Sequence, residues 1–122
     1  MNCVGVGIVG CGYWGPNIVR NLANLRDAKV VALCDAIIAR AEETLLLAPG
    51  AAITTDYTQL LRNKLVEAVV IATPAQSHYE ITRRALESGK HVLVEKPMAM
   101  TSKDANELVQ LANASGLVLM SG

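Results

Sequence analysis

The feature that most constrains the fold is a set of short segments that are apolar at every position. The clearest of them are residues 30–34, 68–72 and 92–94. A strand with one face in water alternates polar and apolar residues, whereas a strand covered on both faces is a continuous apolar run. These segments therefore predict a parallel sheet with helices packed on both of its faces.

Helical patterns separate the predicted strands. Their apolar residues recur at spacings of three and four, as at Ala105, Leu108, Val109 and Ala112. Parallel strands need long crossover connections of this kind. The pattern predicts an α/β fold, a doubly wound parallel sheet of about six strands in three layers that fills residues 1–122 as one domain. The predicted strands are 4–9, 30–34, 52–54, 68–71, 92–94 and 117–120, and the predicted helices are 16–25, 38–48, a short one after Asp56, 77–88 and 101–115.

Capping residues predict where several helices begin. Asp56 and Thr101 are of the types that accept a hydrogen bond at a helix N-cap. Ser77 and Glu80 fit the capping box S-x-x-E at the start of the fourth predicted helix. Gly89 follows that helix, where a left-handed C-cap is expected.

The charge balance excludes several classes of partner. The chain has 122 residues, and its 11 Lys and Arg balance 11 Asp and Glu, with no basic cluster. The sequence therefore predicts neither a nucleic-acid partner nor a membrane surface. A hydrophobic fraction of 52% also excludes disorder as the main state. No apolar run approaches the roughly 18 residues that a membrane span needs.

The cysteines predict free thiols. The chain has an odd number of cysteines, namely Cys3, Cys11 and Cys34, and no two of them form a C-x-x-C pair. Buried free thiols in a reducing compartment are the expectation, rather than a metal site or a redox pair. The predicted location is therefore the cytoplasm.

A glycine loop follows the first predicted strand and opens the first predicted helix. Gly10, Gly12 and Gly15 fit the pattern G-x-G-x-x-G in the strand–loop–helix context that this motif requires. Gly10 permits the tight turn, Gly12 lets a pyrophosphate approach the backbone, and Gly15 lets the helix pack closely. The helix N-terminus adds N–H groups and partial positive charge. The loop, with Tyr13 and Trp14, predicts a Rossmann-type dinucleotide site; the alternative is an ordinary strand–helix turn.

Asp35 strengthens the dinucleotide prediction. It ends the second strand about 20 residues after Gly15, where a dinucleotide domain places a carboxylate that accepts hydrogen bonds from ribose hydroxyls. The same charge opposes a 2′-phosphate, and residues 36–39 contain no Arg or Lys. The predicted cofactor is therefore NAD rather than NADP. The alternative for Asp35 is a strand-end cap.

The second half of the chain separates a dinucleotide site from a methyltransferase-like site. Methyltransferases also combine a glycine loop with an acidic strand end, to bind S-adenosylmethionine. Here Thr73-Pro74 follow the fourth predicted strand and Glu95-Lys96-Pro97 follow the fifth. Because ligands bind beyond the carboxyl ends of parallel strands, these residues are expected to share one rim with the glycine loop. A lysine there can bind a substrate oxygen and stabilise developing negative charge.

These motifs together resemble a known family. They are G-C-G-Y-W-G at 10–15, the strand-end Asp35, A-T-P at 72–74 with His78, and G-K-H-V-L-V-E-K-P at 89–97. The chain resembles the N-terminal domain of the glucose–fructose oxidoreductase, inositol dehydrogenase and rhizopine-catabolism oxidoreductase family. G-Y-W-G-P-N at 12–17 is similar to the branch that acts on nucleotide-activated sugars, such as the UDP-N-acetylglucosamine 3-dehydrogenases.

The resemblance implies an NAD-dependent oxidoreductase. Its members transfer a hydride between the nicotinamide and a hydroxyl-bearing carbon of a sugar, nucleotide sugar or cyclitol. Lys96 matches the catalytic lysine that contacts substrate and cofactor, and Glu95 and Pro97 shape its loop. Thr73, Pro74 and His78 match positions on the cofactor side. The alternatives are a solvated loop lysine at 96 and a structural residue in the first turn of a capped helix at 78.

The resemblance also implies a second, C-terminal substrate domain, which this sequence does not contain. The chain is therefore expected to be a fragment or a single-domain relative, and to be inactive alone. The first alternative function is a non-catalytic NAD-binding module, and a methyltransferase-like S-adenosylmethionine binder is the second. Apolar surface left uncovered by a missing domain predicts self-association, with a homo-oligomer as one outcome.

Overall fold

The computed structural model describes residues 3–122, so Met1 and Asn2 of the predicted domain lie outside the described residues. Its centre is one six-stranded sheet in the order β3-β2-β1-β4-β5-β6. All five neighbouring pairs are parallel, as the continuous apolar runs predict. The strands are β1 Val4–Val9, β2 Ala28–Cys34, β3 Ala52–Thr54, β4 Ala68–Ile71, β5 His91–Val94 and β6 Leu119–Ser121.

Helices cover both faces of the sheet, which confirms the three-layer α/β prediction. One core cluster joins α1 and α2 to the sheet through residues such as Val19, Ala41 and Ile8. The other joins the remaining helices to the opposite face through residues such as Leu60 and Leu86. The helices are α1 Gly15–Ala23, α2 Ile38–Leu45, α3 Tyr57–Arg62, α4 His78–Glu87 and α5 Ser102–Ser115, with a short 3₁₀ turn at Ala75–Ser77.

The strand order reverses at β1, and this reversal positions the site. β1 pairs with β2 on one side and with β4 on the other. Val9 lies opposite both Cys34 and Ile71, and Ile71 lies opposite Val94. The four central strands therefore end at the same edge. In doubly wound sheets, ligands bind outside the carboxyl ends of the strands at such a reversal.

Two of the predicted N-caps are confirmed and one is wrong. Asp56 accepts a hydrogen bond from the Thr58 N–H at 2.9 Å, and Thr101 accepts one from the Asp104 N–H at 3.1 Å. Ser77 makes no side-chain cap bond. Its φ of −95° and ψ of −7° are helical, because the 3₁₀ turn already includes it, whereas an N-cap residue needs an extended backbone.

The other differences lie at element boundaries. The first helix begins one residue earlier than predicted and ends at Ala23, and the second ends at Leu45. The second strand begins at Ala28, and the sixth covers Leu119–Ser121 rather than 117–120. Gly89 has a φ of +80°, so its prediction as a left-handed cap is confirmed. Over residues 3–122, no helix is long and apolar enough to cross a membrane.

Candidate dinucleotide-binding site

The three glycines of the loop face different surroundings. Gly10 has a φ of +102°, and a Cβ there would lie 2.6 Å from the Ala72 carbonyl oxygen. A Cβ at Gly15 would collide with the Gly10 carbonyl oxygen. A Cβ at Gly12 would meet only the Arg40 guanidinium, at 3.6 Å. The outer glycines are therefore required by the fold, whereas Gly12 leaves space on the ligand side of the loop.

Asp35 connects the end of β2 to the glycine loop. Its Oδ2 accepts a hydrogen bond from the Cys11 N–H at 2.8 Å, and its Oδ1 accepts one from the Ile37 N–H at 2.8 Å. The residue is only 8% exposed. Each carboxylate oxygen keeps a second lone pair for a ligand hydroxyl. Asp35 thus forms the hydrogen bonds expected of a strand-end cap, and it also borders a cavity.

That cavity has a volume of about 540 Å³ and lies at the carboxyl edge of the central strands. Its size is within the range of small-molecule and cofactor sites. Half of the twelve predicted site residues line it, and they come from three separate chain segments. These six are Gly10, Gly12, Tyr13, Asp35, Thr73 and Pro74.

Arg40 is a lining residue that the sequence interpretation missed. It lies in α2, is exposed, and places its guanidinium over Gly12. Its side chain forms no ion pair within residues 3–122. Arg40 lies one position beyond residues 36–39, in which the sequence contains no cation. No local pattern identifies it, because its position over Gly12 depends on how α2 packs beside the loop.

Ile37 and Tyr57 are two further lining residues that were not predicted. Ile37 is 50% exposed, although it is a large apolar side chain next to the strand end. Tyr57 begins α3 and is half-buried. They give the Asp35 end of the cavity an apolar surface, as in most ligand pockets.

Two aromatic residues stand at the tip of the glycine loop. Tyr13 is 83% exposed and Trp14 is 55% exposed. Their rings pack edge to face, with centroids 5.0 Å apart and planes at 89°. Tyr13 borders the cavity, whereas Trp14 is outside the lining among the described residues. Trp14 is therefore placed to report on the loop by fluorescence.

The predicted catalytic turn leaves the sheet at the end of β5. Glu95 is half-buried, and Lys96 and Pro97 are exposed. The Lys96–Pro97 peptide bond is cis. The Glu95 N–H donates to the Ile71 carbonyl at 3.0 Å, so this turn leaves the same edge as the segment that follows β4. The three residues do not line the cavity in the described part of the chain.

His78 joins the turn after β5 to the cavity wall. Its Nδ1 lies 2.7 Å from the Pro97 carbonyl oxygen, and its Nε2 lies 2.7 Å from the Thr73 carbonyl oxygen. The residue is 2% exposed. Both ring nitrogens are therefore occupied by backbone oxygens. A direct contact between His78 and the cofactor stays a prediction.

Cys11 and Cys34 lie beneath the site as buried free thiols. Burial, reinforced by the nearby Asp35 carboxylate, raises the pKa of Cys11 to about 11. Burial, with Cys11 as the next contribution, raises the pKa of Cys34 to about 12. Both thiols therefore stay protonated at neutral pH and are poor nucleophiles. Residues 3–122 contain no group of three His, Cys, Asp or Glu side chains arranged to hold a metal ion.

Comparison with known proteins agrees with this geometry. Residues 4–122 match the family model described as an oxidoreductase family with an NAD-binding Rossmann fold. The 2,7-anhydro-N-acetylneuraminate hydratase of Mediterraneibacter gnavus is 34% identical over 100% of this chain and 32% of its own length. The inositol 2-dehydrogenase of Salmonella typhimurium is 36% identical over 90% of this chain and 33% of its own length.

Solved structures share the fold closely. GenD2 from gentamicin A biosynthesis, crystallised with NAD, has a TM-score of 0.95 and 30% identity over 100% of this chain and 35% of its own. KijD10, a 3-ketoreductase from Actinomadura kijaniata crystallised with NADP and TDP-benzene, has a TM-score of 0.93 and 32% identity over 99% of this chain and 37% of its own. This chain thus spans about one third of the length of these proteins. The chain belongs to the oxidoreductase family of the glucose–fructose oxidoreductases, inositol dehydrogenases and rhizopine-catabolism oxidoreductases, and it has that family's NAD-binding Rossmann fold.

Proposed function

We propose that this chain binds NAD in the cavity and is the cofactor half of an oxidoreductase. The substrate class is a sugar, nucleotide sugar or cyclitol, oxidised or reduced at a hydroxyl-bearing carbon. The observation that carries the proposal is the open side of Gly12 next to the carboxylate of Asp35. The relatives support the substrate class, because they include an inositol 2-dehydrogenase and a 3-ketoreductase crystallised with a TDP derivative.

The residues present fit a dinucleotide along the whole edge. The backbone at Gly12 and the N-terminus of α1 would hold the pyrophosphate, since Gly12 has no side chain to block its approach. The free lone pairs of Asp35 would bind the ribose hydroxyls beside Ile37 and Tyr57. Thr73 and Pro74 would border the nicotinamide half.

NAD is the proposed cofactor rather than NADP. A 2′-phosphate about 4 Å from the Asp35 carboxylate would cost about 4 kcal/mol at an effective dielectric constant near 20. Arg40 lines the same cavity as Asp35, and a guanidinium there would offset part of this repulsion, so the preference is smaller than Asp35 alone predicts. The related structures contain NAD in one case and NADP in the other. The ratio of the NADPH and NADH dissociation constants is therefore the quantity to measure.

Lys96 is the proposed catalytic residue. The nicotinamide supplies the hydride chemistry when it is bound. The Lys96 ammonium would donate a hydrogen bond to the reacting substrate oxygen and stabilise the negative charge that develops there. Lys96 is exposed at the carboxyl edge, where a substrate can reach it. Turnover is proposed for the whole protein, because the relatives are about three times as long as this chain.

The first test uses Trp14, the single tryptophan. NADH and then NADPH are titrated into the purified chain while Trp14 emission and energy transfer to the reduced nicotinamide are followed. The expected result is saturable quenching by NADH and weaker quenching by NADPH. Gly12→Val is the matched control, since it adds a side chain at the open glycine of the loop while the reporter Trp14 is kept.

Two outcomes would contradict the proposal. One is a folded circular-dichroism spectrum with no response to either dinucleotide. The other is displacement of bound NADH by S-adenosylmethionine at lower concentration than by NAD, which would favour the methyltransferase-like alternative. Lys96→Ala is expected to keep most of the NADH affinity and to abolish turnover in the whole protein. Retained turnover would remove Lys96 from the catalytic site.

Self-association stays a prediction. Val118 and Met120 are 55% and 58% exposed near the outer strand β6, so apolar surface is present at that edge. Sedimentation of the chain over a range of concentrations would measure self-association. A monomer at all concentrations would contradict the prediction.

A further inference from the structure

His78 lies behind the cavity wall rather than in it. It is the first residue of α4 and is almost fully buried, with 2% of its surface exposed. Its ring lies between two segments that are distant in sequence, and it contacts a backbone carbonyl in each at 2.7 Å. One carbonyl belongs to Thr73, which lines the cavity, and the other belongs to Pro97, which follows Lys96.

The partners of the two ring nitrogens are both hydrogen-bond acceptors. A carbonyl oxygen can only accept hydrogen bonds, so each ring nitrogen must donate. A neutral imidazole has one N–H and one bare nitrogen, whereas the imidazolium ion has two N–H groups. Simultaneous donation from both ring nitrogens is possible only in the imidazolium. Charged donors also give shorter and stronger hydrogen bonds than neutral ones, which agrees with both distances.

His91 provides the opposite case in the same chain. The Val118 N–H donates to its Nδ1 at 3.0 Å, so this nitrogen carries a lone pair rather than a proton. His78 and His91 are the two histidines of the chain. One is thus a double donor and the other an acceptor, and each is an internal control for the other.

The segment that His78 holds has little other support from the sheet. The ladder between β4 and β5 continues to the Glu95 N–H, which donates to Ile71. The Lys96 N–H donates on the other side, to the Gly122 carbonyl at 3.1 Å. Pro97 has no N–H to donate. Beyond Glu95, the His78 ring is therefore what connects the turn to the cavity wall.

We propose that His78 is a positioning residue whose imidazolium fixes the Glu95-Lys96-Pro97 turn against Thr73 and so holds Lys96 beside the cofactor cavity. This inference rests on the proposed role of Lys96. His78 itself touches neither substrate nor cofactor in this arrangement. Its contribution is to join two turns that the sheet leaves separate.

The protonation state is tested by ring ¹⁵N NMR of the wild-type chain at neutral pH. The expected spectrum has both His78 nitrogens in the protonated range, and it has one unprotonated nitrogen in His91. An unprotonated nitrogen in His78 would overturn the proposal. His91→Gln assigns the two rings and leaves the site untouched.

The positioning role is tested with two conservative variants. In His78→Asn the side-chain amide N–H lies where Nδ1 does, so the bond to Pro97 is kept. In His78→Gln it lies where Nε2 does, so only the bond to Thr73 is kept. Amide exchange at Lys96 is expected to rise about fivefold in His78→Gln, the factor for losing one hydrogen bond of average net strength. It is expected to stay near the wild-type rate in His78→Asn and His91→Gln.

Equal exchange at Lys96 in the two His78 variants would overturn the positioning role. If neither variant folds, the wild-type ring spectrum still decides the proposal. The proposed function fails separately, through the wild-type NADH titration, because the ring spectrum and the exchange rates are measured without cofactor.

Discussion

The backbone N–H of Cys11 donates a hydrogen bond to the Asp35 carboxylate, with 2.8 Å between nitrogen and Oδ2. Cys11 lies inside the glycine loop and Asp35 ends β2, so one bond connects the two halves of the proposed site. The Ile37 N–H donates to the other oxygen at the same distance. Asp35 therefore stabilises the fold and is also the proposed ribose-binding residue, and its substitution tests both roles.

Replacing Asp35 should affect stability and cofactor choice together. Asp35→Ala leaves the Cys11 and Ile37 N–H groups without their acceptor, and the buried Cys11 N–H left unsatisfied costs about 1–3 kcal/mol. NADH affinity should fall and the preference over NADPH should narrow. Thermal unfolding and paired NADH and NADPH titrations measure the two effects. An unchanged preference would refute the ribose assignment.

The glycine loop should separate binding from stability. Gly12→Ala adds a methyl group in ordinary van der Waals contact with Arg40, so the melting temperature should stay near the wild-type value while NADH affinity falls. Gly15→Ala forces a methyl group against the Gly10 carbonyl. Such overpacking should lower the free energy of unfolding by about 1–3 kcal/mol. Unfolding curves and NADH titrations of both variants measure this. The reverse order of melting temperatures would contradict the assignment of the two glycines.

The thiols should differ in reactivity. With a pKa of about 11, Cys11 is a thiolate in roughly one molecule in a thousand at pH 8, and Cys34 in fewer. A disulfide reagent should therefore titrate one thiol, the exposed Cys3, in the native chain, and three after unfolding. Cys3→Ser is the control and should abolish the fast reaction. Fast reaction of a second thiol would show that the loop opens.

The same thiols predict alkaline destabilisation. Both folded-state pKa values lie above the ordinary thiol value of 9.0, so the folded chain retains these protons to higher pH than the unfolded chain does. The stabilisation is complete below pH 9 and is lost as the pH rises from about 9 towards 12. Denaturant unfolding across this range measures it. Cys11→Ala with Cys34→Ala should flatten the profile.

Acid should weaken the start of α3. The hydroxyl and N–H of Thr58 hold the pKa of Asp56 below its usual value, because both bind the carboxylate form. This stabilisation is present at neutral pH and is lost as the pH falls through the lowered folded pKa. Amide exchange at Thr58 in the acid range measures it. The Asp104 N–H, which is bound by the neutral hydroxyl of Thr101, is the control and should show no such dependence.

Local chemistry determined what could be predicted from the sequence. The glycine loop, Asp35 and the caps at Asp56 and Thr101 depend on residues a few positions away or on a known spacing. The prediction of an N-cap at Ser77 was wrong, because this residue already belongs to a 3₁₀ turn, which leaves no clear local pattern.

The long-range contacts were beyond sequence reasoning. Arg40 reaches Gly12 through the packing of α2 beside the loop. The His78 ring contacts Thr73 and Pro97 because β4 and β5 end side by side, 5 and 19 residues away along the chain. A sequence pattern indicates neither contact, because each depends on the register of the sheet.

The glycine loop has a consequence for how such a domain can diversify. Its outer glycines face backbone atoms, whereas Gly12 and the exposed rings of Tyr13 and Trp14 face outward. Substitutions at positions 13 and 14 therefore change the exposed surface of the loop, while the glycines that form its turn stay the same. In the proposed site, ligand contact and foldability therefore depend on different residues within six consecutive positions, so selection can change one while it conserves the other.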